Sequence, residues 1–425
     1  MSESHFIFSG HDTVELAKKF KTPLYVMSED IIRNNIHTIK EAFKDAQLEY
    51  DINYAGKAFL NLAMCKIVKD ENISIDVVSG GELYTAIKAG IDPSRITMHG
   101  SNKSEEEIIF ALENNVGRIV IDSLYEIDLL KKLCNRLNKV QKVHIRVTPN
   151  IEAHTHEYVQ TGRIDSKFGI PISIALRAAR QISNSEKNLE LVGLHCHIGS
   201  QIFASNPFII AANNMLELMY NIEELGIKIK ELNLGGGFGI NYLADEEIFS
   251  VKNYVKTLDE LLKSKCKELE MHIPKIIVEP GRYIVGTAGI TLYTVGTVKE
   301  IPYLRKYVSI DGGMYENPRP ALYHAVHRAY VANRFNDEKN DLVTISGKCC
   351  ETDTLISDIL LPKCQSGDIL AVMNTGAYNY SMSSNYNRLP RPAVVLLKGD
   401  QSEVIVEREK IEDMIRSDRI PSWID

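Results

Sequence analysis

The sequence predicts an α/β fold, a (β/α)8 TIM barrel joined to a second, mainly β domain of sandwich or barrel type. Three observations predict it. Over residues 31–286, short apolar and β-branched segments recur eight times. Stretches with apolar residues three and four apart separate most of them. After Gly286 the helical periodicity fades and Gly, Pro and Asn turns punctuate short strands. A length of 425 residues exceeds one ordinary core and suits a barrel with an appendage.

Residues 22–27 (TPLYVM) read as a strand, and Ser28 or Asp30 is placed to cap a helix running to about Ala46. The eight barrel segments are 50–54, 75–78, 96–99, 119–121, 143–147, 191–197, 231–234 and 276–279. Helical patterns fall at 81–89, 104–114, 124–137, 172–182, 208–225 and 254–269. Ser104 with Glu107 fits a capping box, and Gly90 and Gly226 stand where helices should end. Strand order cannot be read from this pattern, so a doubly wound open sheet stays as the alternative. Further strands are expected at 291–298, 307–310, 342–345, 369–372, 391–397 and 403–407. The expected division is a barrel over 31–286 and a β domain over 1–30 plus 287–425.

Composition narrows the function. With 44% hydrophobic and 25% charged residues the chain is globular rather than disordered. A net charge of -7 leaves no basic stripe for nucleic acid, so a small-molecule ligand is the expected partner. Seven cysteines without CxxC spacing suit neither a zinc site nor a disulfide framework and read as reduced thiols. Charged residues interrupt the first 21 positions, which excludes the apolar region of a signal peptide there. No window reaches the ~18 apolar residues of a membrane span. A soluble, cytoplasmic protein is expected.

In a barrel, functional groups gather at the C-terminal strand ends, and the unusual residues of this chain lie there. Lys57, in NYAGKA, follows the first strand; alone it reads as a solvated charge. Ser79-Gly80-Gly81 follows the second strand and His99-Gly100 the third, and Arg146 lies near the end of the fifth. The sixth ends in His195-Cys196-His197-Ile198-Gly199-Ser200, the seventh in Gly235-Gly236-Gly237-Phe238-Gly239, and the eighth in Glu279-Pro280-Gly281-Arg282. Successive glycines let backbone N–H groups approach an anion, and Ser200 and Arg282 add donors, so a phosphorylated ligand is expected.

His195 and His197 are two apart and share a strand face. A metal would need a third ligand at a matching strand end, and none is evident, so no metal is expected. The flat ring of His197, nearer the barrel mouth, suits stacking on an aromatic cofactor. Glu279, on a buried strand, needs a cationic or strongly hydrogen-bonding partner, which Arg282 or a protonated pyridine nitrogen would provide. An amine, a phosphate cradle, a flat imidazole and a buried carboxylate match the four needs of pyridoxal 5′-phosphate.

On these residues the chain resembles the diaminopimelate decarboxylases, within the alanine-racemase-like group of pyridoxal phosphate decarboxylases that includes the ornithine and arginine enzymes. YAGKA, DVVSGGEL, HCHIGSQ, LGGGFGI and EPGRY carry the group resemblance; GRIDSKFGI at 162–170, RPALYHAVH at 319–327, CCETDTL at 349–355 and GAYNYSMSSNYNRLPRPAVV at 376–395 carry the narrower one. The resemblance favours the barrel over the open sheet and implies a homodimer with active sites at its interface. It implies that Lys57 carries the cofactor as a Schiff base, that His197 stacks on the ring and that Glu279 pairs with the pyridinium nitrogen. Ser200, Gly236, Gly237, Gly281, Arg282 and Tyr378 would hold the phosphate. Arg282, Arg319, Tyr323, Glu351 and Tyr378 would bind substrate, and Cys350 would come from the neighbouring subunit and take part in proton transfer.

The implied reaction is decarboxylation of meso-2,6-diaminoheptanedioate at its D centre to L-lysine, the last step of lysine biosynthesis. Arginine, ornithine or carboxynorspermidine decarboxylase is the alternative on the same fold, and a catalytically dead regulator the alternative of another class. Two departures stand out: Leu389 interrupts the usual Asn-Arg-Pro-Arg-Pro run, and Phe59 replaces a smaller polar residue.

Overall fold

The computed structural model describes residues 5–149, 166–184, 188–243 and 249–424. The chain divides into two compact units, one of Arg33–Asn241 with Glu247–Ile284, the other of Met1–Ile32, Tyr242–Glu246 and Val285–Asp425.

The first unit is a closed parallel barrel. Its strands are β1 (Tyr50–Ala55), β2 (Ser74–Val77), β3 (Ile96–Met98), β4 (Arg118–Ile121), β5 (Gln141–Thr148), β6 (Leu189–His195), β7 (Glu231–Asn233) and β8 (Lys275–Val278). Each pairs in parallel with the next, and β8 returns to β1 through Ile276–Tyr50, Ile277–Asp51 and Val278–Ile52. That closing pair excludes the open sheet.

The helices between strands form for the reasons the pattern suggested. Ser104 and Glu107 make a reciprocal capping box at the start of Glu105–Glu113. Gly90 and Gly226 take positive φ just after their helices, where a side chain would be strained. Helices at Thr13–Phe20 and, between the first two barrel strands, at Leu62–Asp70 were not expected from the sequence. Leu62–Asp70 begins after Asn61, whose side chain accepts the Met64 N–H at 2.9 Å, and buries Met64, Cys65, Ile67 and Val68.

Inside the barrel, residues two apart along a strand face inward in layers. At the base, Glu231 of β7 accepts from Arg118 Nε of β4 at 2.6 Å and lies 2.8 Å from His144 Nε2 of β5. Gly193 of β6 makes room there, because a Cβ would come within 2.6 Å of the His144 ring. The positions two further on, His195 and Asn233, reach the upper layer where the chemistry lies. Glu231 is held below its ordinary range: burial opposes this, but hydrogen bonds from Arg118 and His144 outweigh it.

The second unit is built on a long strand, β9 (Gly289–Ile301). On one side β9 pairs with Leu24–Ser28, which pairs in parallel with β15 (Ala393–Lys398) and so on to β16 (Gln401–Val406). On the other side lie β10 (Arg305–Ile310), β12 (Asp341–Ser346) and β13 (Thr354–Leu361). Strands β11 (Ala329–Val331) and β14 (Ile369–Val372) pair with each other, and β14 with β9. Alternation along β9 feeds two cores, with Tyr293 and Val295 in one and Ile290 and Leu292 in the other. Strands β11 and β13 were not expected from the sequence; in β13, Asp358 takes φ +53 and interrupts the alternation that reveals a strand.

Candidate active site

The site is built at the C-terminal ends of the barrel strands. Lys57 lies in a 3-10 turn, Gly56–Ala58, immediately after β1, and its side chain is exposed. The small residues around it have a packing reason. Ala55 N–H donates to the Pro280 carbonyl at 3.2 Å, and a Cβ on Gly281 would stand 3.0 Å from the Cβ atoms of both Ala55 and Ala58. The loop after β8 thus closes directly on the lysine turn. Phe59, the departure noted above, is 2% exposed, and its carbonyl accepts the Tyr54 hydroxyl at 2.6 Å, so it serves local packing.

Glu279 is 8% exposed and gathers partners from three other strands. Asn233 Nδ2 donates to Oε1 at 2.6 Å, and His195 Nε2 lies 3.1 Å from Oε2. His99 Nε2 lies 2.8 Å from Oε1 in a close contact without good hydrogen-bond alignment. Burial alone would raise the Glu279 carboxyl, yet His99 and His195 hold it well below the ordinary carboxylate range. Burial pushes His195 down to about 3, so it donates as a neutral imidazole.

This arrangement corrects two sequence expectations. Arg282 was one candidate partner for Glu279; its Nε and Nη2 instead lie 3.4 and 3.2 Å from Ser200 Oγ. A third metal-type ligand was thought absent; in the structure His99, His195 and Glu279 bring ligand atoms within 4.8 Å of one another. By residue type that trio suits a metal ion, but its contacts are those of a carboxylate held by imidazoles.

His197 also sits differently from expectation. Strand β6 ends at His195, so His197 lies beyond it and faces the loop after β7. Gly236 N–H points to its Nδ1 at 3.3 Å, and a Cβ on Gly235 would come within 2.8 Å of that nitrogen. Burial, then the charges of Lys57 and Arg146, push the His197 imidazole well below its ordinary value, which leaves a neutral flat ring. The glycine loop is tight for backbone reasons too. A Cβ on Gly236 would stand 2.0 Å from the Glu279 carbonyl, and Gly237, at φ +108, would put one 2.1 Å from that of Gly199.

The structure adds Asp76 of β2, which the sequence reading passed over although it is an acid inside the apolar run ISIDV. It is buried with Oδ1 unpartnered; burial and then the Glu279 charge raise it well above its ordinary range, against the pull of Lys57. Arg146, noted from sequence, lies 3.8 Å from Asp122 and over the Phe168 ring at 4.4 Å.

Together these residues fit pyridoxal 5′-phosphate. Ser200, Arg282 and the glycine backbone suit the phosphate, His197 the ring face, Glu279 the ring nitrogen and Lys57 the aldehyde.

The remaining sequence candidates lie in the β unit. Arg319 opens a short helix, Arg319–Tyr323, and its Nη1 donates to the Tyr242 hydroxyl at 2.7 Å. Tyr323, at that helix's end, and Tyr378, at φ +62, are half-buried. Cys350 and Glu351 are exposed; Cys350 N–H donates to Asn387 Oδ1 at 2.8 Å, and the Tyr386 hydroxyl to Glu351 at 2.6 Å. Of the motif at 162–170, residues 162–165 lie outside the described residues.

A family model described as pyridoxal-dependent decarboxylase, pyridoxal binding domain, matches residues 29–286. The chain is 47% identical over 418 residues to the diaminopimelate decarboxylase of Bacillus subtilis, covering 97% of this chain and 95% of that protein. It is 48% identical over 407 residues to the one from Staphylococcus aureus, covering 95% of each. Among solved structures, diaminopimelate decarboxylase from M. jannaschii in complex with L-lysine superposes with a TM-score of 0.93 at 37% identity, covering 99% of this chain and 97% of that one.

Proposed function

The chain belongs to the diaminopimelate decarboxylase family of pyridoxal-dependent decarboxylases, and on that premise we propose that it decarboxylates meso-2,6-diaminoheptanedioate at the D centre to give L-lysine and carbon dioxide. The observation that carries the residue assignment is Glu279, a buried carboxylate kept anionic by Asn233, His195 and the close imidazole of His99. Such a group has a purpose where a cationic ring nitrogen is to be bound. When bound, pyridoxal 5′-phosphate supplies an electron sink for the pair left on the substrate α-carbon as carbon dioxide departs.

The chain's own residues do the rest. Lys57 would hold the cofactor through its ε-amine, give way to the substrate amine, and displace the product amine when product leaves. Glu279 would hold the proton of the ring nitrogen in place. His197, neutral, would cover one ring face, while Ser200, Gly236, Gly237, Gly281 and Arg282 would anchor the phosphate, with Tyr378 as a further donor. Arg319, with Arg282, binds the distal carboxylate by a charge-assisted pair, Glu351 reads the distal ammonium, and Tyr323 and Tyr378 line the substrate. Ornithine has no distal carboxylate and would leave an arginine unpaired, which disfavours it strongly.

Cys350 returns a proton to the substrate carbon. Cys350 and Glu351 stand exposed on this chain, which supports their delivery to the site of a second copy, and so a homodimer with shared sites. A mixture of Lys57 and Cys350 variants then regains activity in the mixed dimer. No helix among the described residues is long and apolar enough to cross a membrane, in keeping with a cytoplasmic biosynthetic enzyme.

The test of the cofactor assignment is Lys57→Ala. The visible absorbance of the lysine-bound cofactor is expected to vanish together with turnover. A variant that keeps both removes Lys57 from the mechanism.

A further inference from the structure

The residues assigned to substrate in the β unit stand on separate segments of chain, and the arrangement raises the question of what holds them in mutual register. Arg319 and Tyr323 follow the turn at 312–318, while Cys350 and Glu351 lie in the loop between β12 and β13. One side chain ties the two. Asp353 is 6% exposed; its Oδ1 accepts the Met314 N–H at 2.7 Å and its Oδ2 accepts the Cys349 N–H at 2.8 Å. Its carbonyl accepts the Gly347 N–H at 2.8 Å, and Lys348 N–H crosses to the Gly312 carbonyl at 2.9 Å.

Two glycines make the space for this carboxylate. A Cβ on Gly313 would stand 2.3 Å from Asp353 Oδ2 and one on Gly347 2.1 Å from it. The first segment is pinned from its other side by Glu316, fully buried, which accepts the Gly313 N–H at 2.8 Å and the Tyr293 hydroxyl at 2.9 Å. Two acids thus grip the turn that leads to Arg319, and one of them also grips the backbone directly before Cys350.

We propose that Asp353 is a positioning residue of the reaction. By accepting one backbone N–H from each segment it fixes the loop that carries Cys350 and Glu351 to the partner's site against the turn that leads to Arg319 and Tyr323, without itself touching substrate. The role rests on the substrate assignment given above. Chemistry favours a carboxylate over its amide here, because each of the two oxygens must accept and an amide offers one acceptor oxygen. Removing one partner leaves a buried backbone N–H without an acceptor.

Asp353→Asn tests this in the full-length enzyme loaded with cofactor. Cofactor absorbance and affinity are expected to stay within twofold of wild type, since all the cofactor groups but Tyr378 stand on the barrel and Tyr378 lies outside the two tied segments. With meso-2,6-diaminoheptanedioate, kcat/KM is expected to fall at least tenfold through both a raised KM and a lowered kcat. Gly347→Ala, which crowds the carboxylate while leaving Asp353 in place, is expected to do the same. A readout that needs no turnover is alkylation by iodoacetamide. The other six cysteines are buried, so the reaction reports Cys350, and its rate is expected to rise at least threefold in both variants. An unchanged alkylation rate overturns the proposal even if the substrate is misassigned. Loss of cofactor binding in parallel with activity also overturns it, because that marks general unfolding. A wild-type enzyme that forms no L-lysine, with alkylation still raised in the variants, strikes the substrate assignment alone.

Discussion

Glu279→Gln keeps the shape of the side chain and removes its charge. In the wild-type site, Asn233, His195 and His99 approach the two carboxylate oxygens at 2.6, 3.1 and 2.8 Å. An amide offers one acceptor oxygen, and its NH2 group must face a donor. If the oxygen stays toward Asn233, the NH2 meets His195 Nε2, which must become an acceptor. The His195 proton then moves to Nδ1, a buried atom with no hydrogen-bond partner. Burying that unpartnered N–H costs about 1–3 kcal/mol, and the lost charge-assisted bond to the ring nitrogen about 1.5–3 kcal/mol. If half of that sum falls on cofactor binding, the loss is about 1.3–3 kcal/mol, or roughly 10- to 150-fold in affinity. The assay is a fluorescence titration of the cofactor-free variant with pyridoxal 5′-phosphate, together with kcat. A variant that binds cofactor within twofold of wild type and turns over normally refutes the ring-nitrogen role of Glu279.

Other consequences are open to measurement. Glu231→Gln, at the barrel base, removes the charge paired with Arg118 and His144. The pair is buried but not sealed from solvent, so the expected cost is about 2–3 kcal/mol, or about 4–12 °C in Tm, with the cofactor spectrum unchanged; an unaltered Tm contradicts the layered-barrel reading. Glu71, on α-helical ground near Arg33, His37 and Lys40, is lowered to about 2, against burial and through bonds from Lys40 and Arg33. Because its folded value lies below the unfolded one, its stabilisation is complete above about pH 4.5 and is lost as pH falls toward about 2. Glu71→Gln should flatten the acid side of the stability curve, read as urea midpoints between pH 6 and about 3; an identical slope removes the network from that role.

Much of the barrel is legible because β-branched runs such as those at 75–78 and 119–121 are short, apolar and bounded by turn residues. Glu279 stands out as a charged residue at the end of a buried run, whereas Lys57 alone reads as a solvated charge and stands out only beside the glycine, histidine and Glu279 motifs. The grouping of His99, His195 and Asn233 around Glu279 is not legible, since it follows from closure of strands far apart in sequence. Its trace was present in the two-residue steps Thr97 to His99 and Glu231 to Asn233, both facing inward. Asp353 was invisible for a different reason. Its partners are backbone N–H groups, which leave no mark on residue type except the glycines at 313 and 347. The helix at Leu62–Asp70 was legible as well, since Met64, Cys65, Ile67 and Val68 keep helical spacing behind an Asn61 cap, yet it was not expected.

The account stands or falls on product formation. Purified enzyme with pyridoxal 5′-phosphate and meso-2,6-diaminoheptanedioate, followed for L-lysine and released carbon dioxide, is expected to yield the two in equal amounts. Ornithine, arginine and carboxynorspermidine are expected to give little or no carbon dioxide under the same conditions. Carbon dioxide release from one of those three in preference to meso-2,6-diaminoheptanedioate would contradict it.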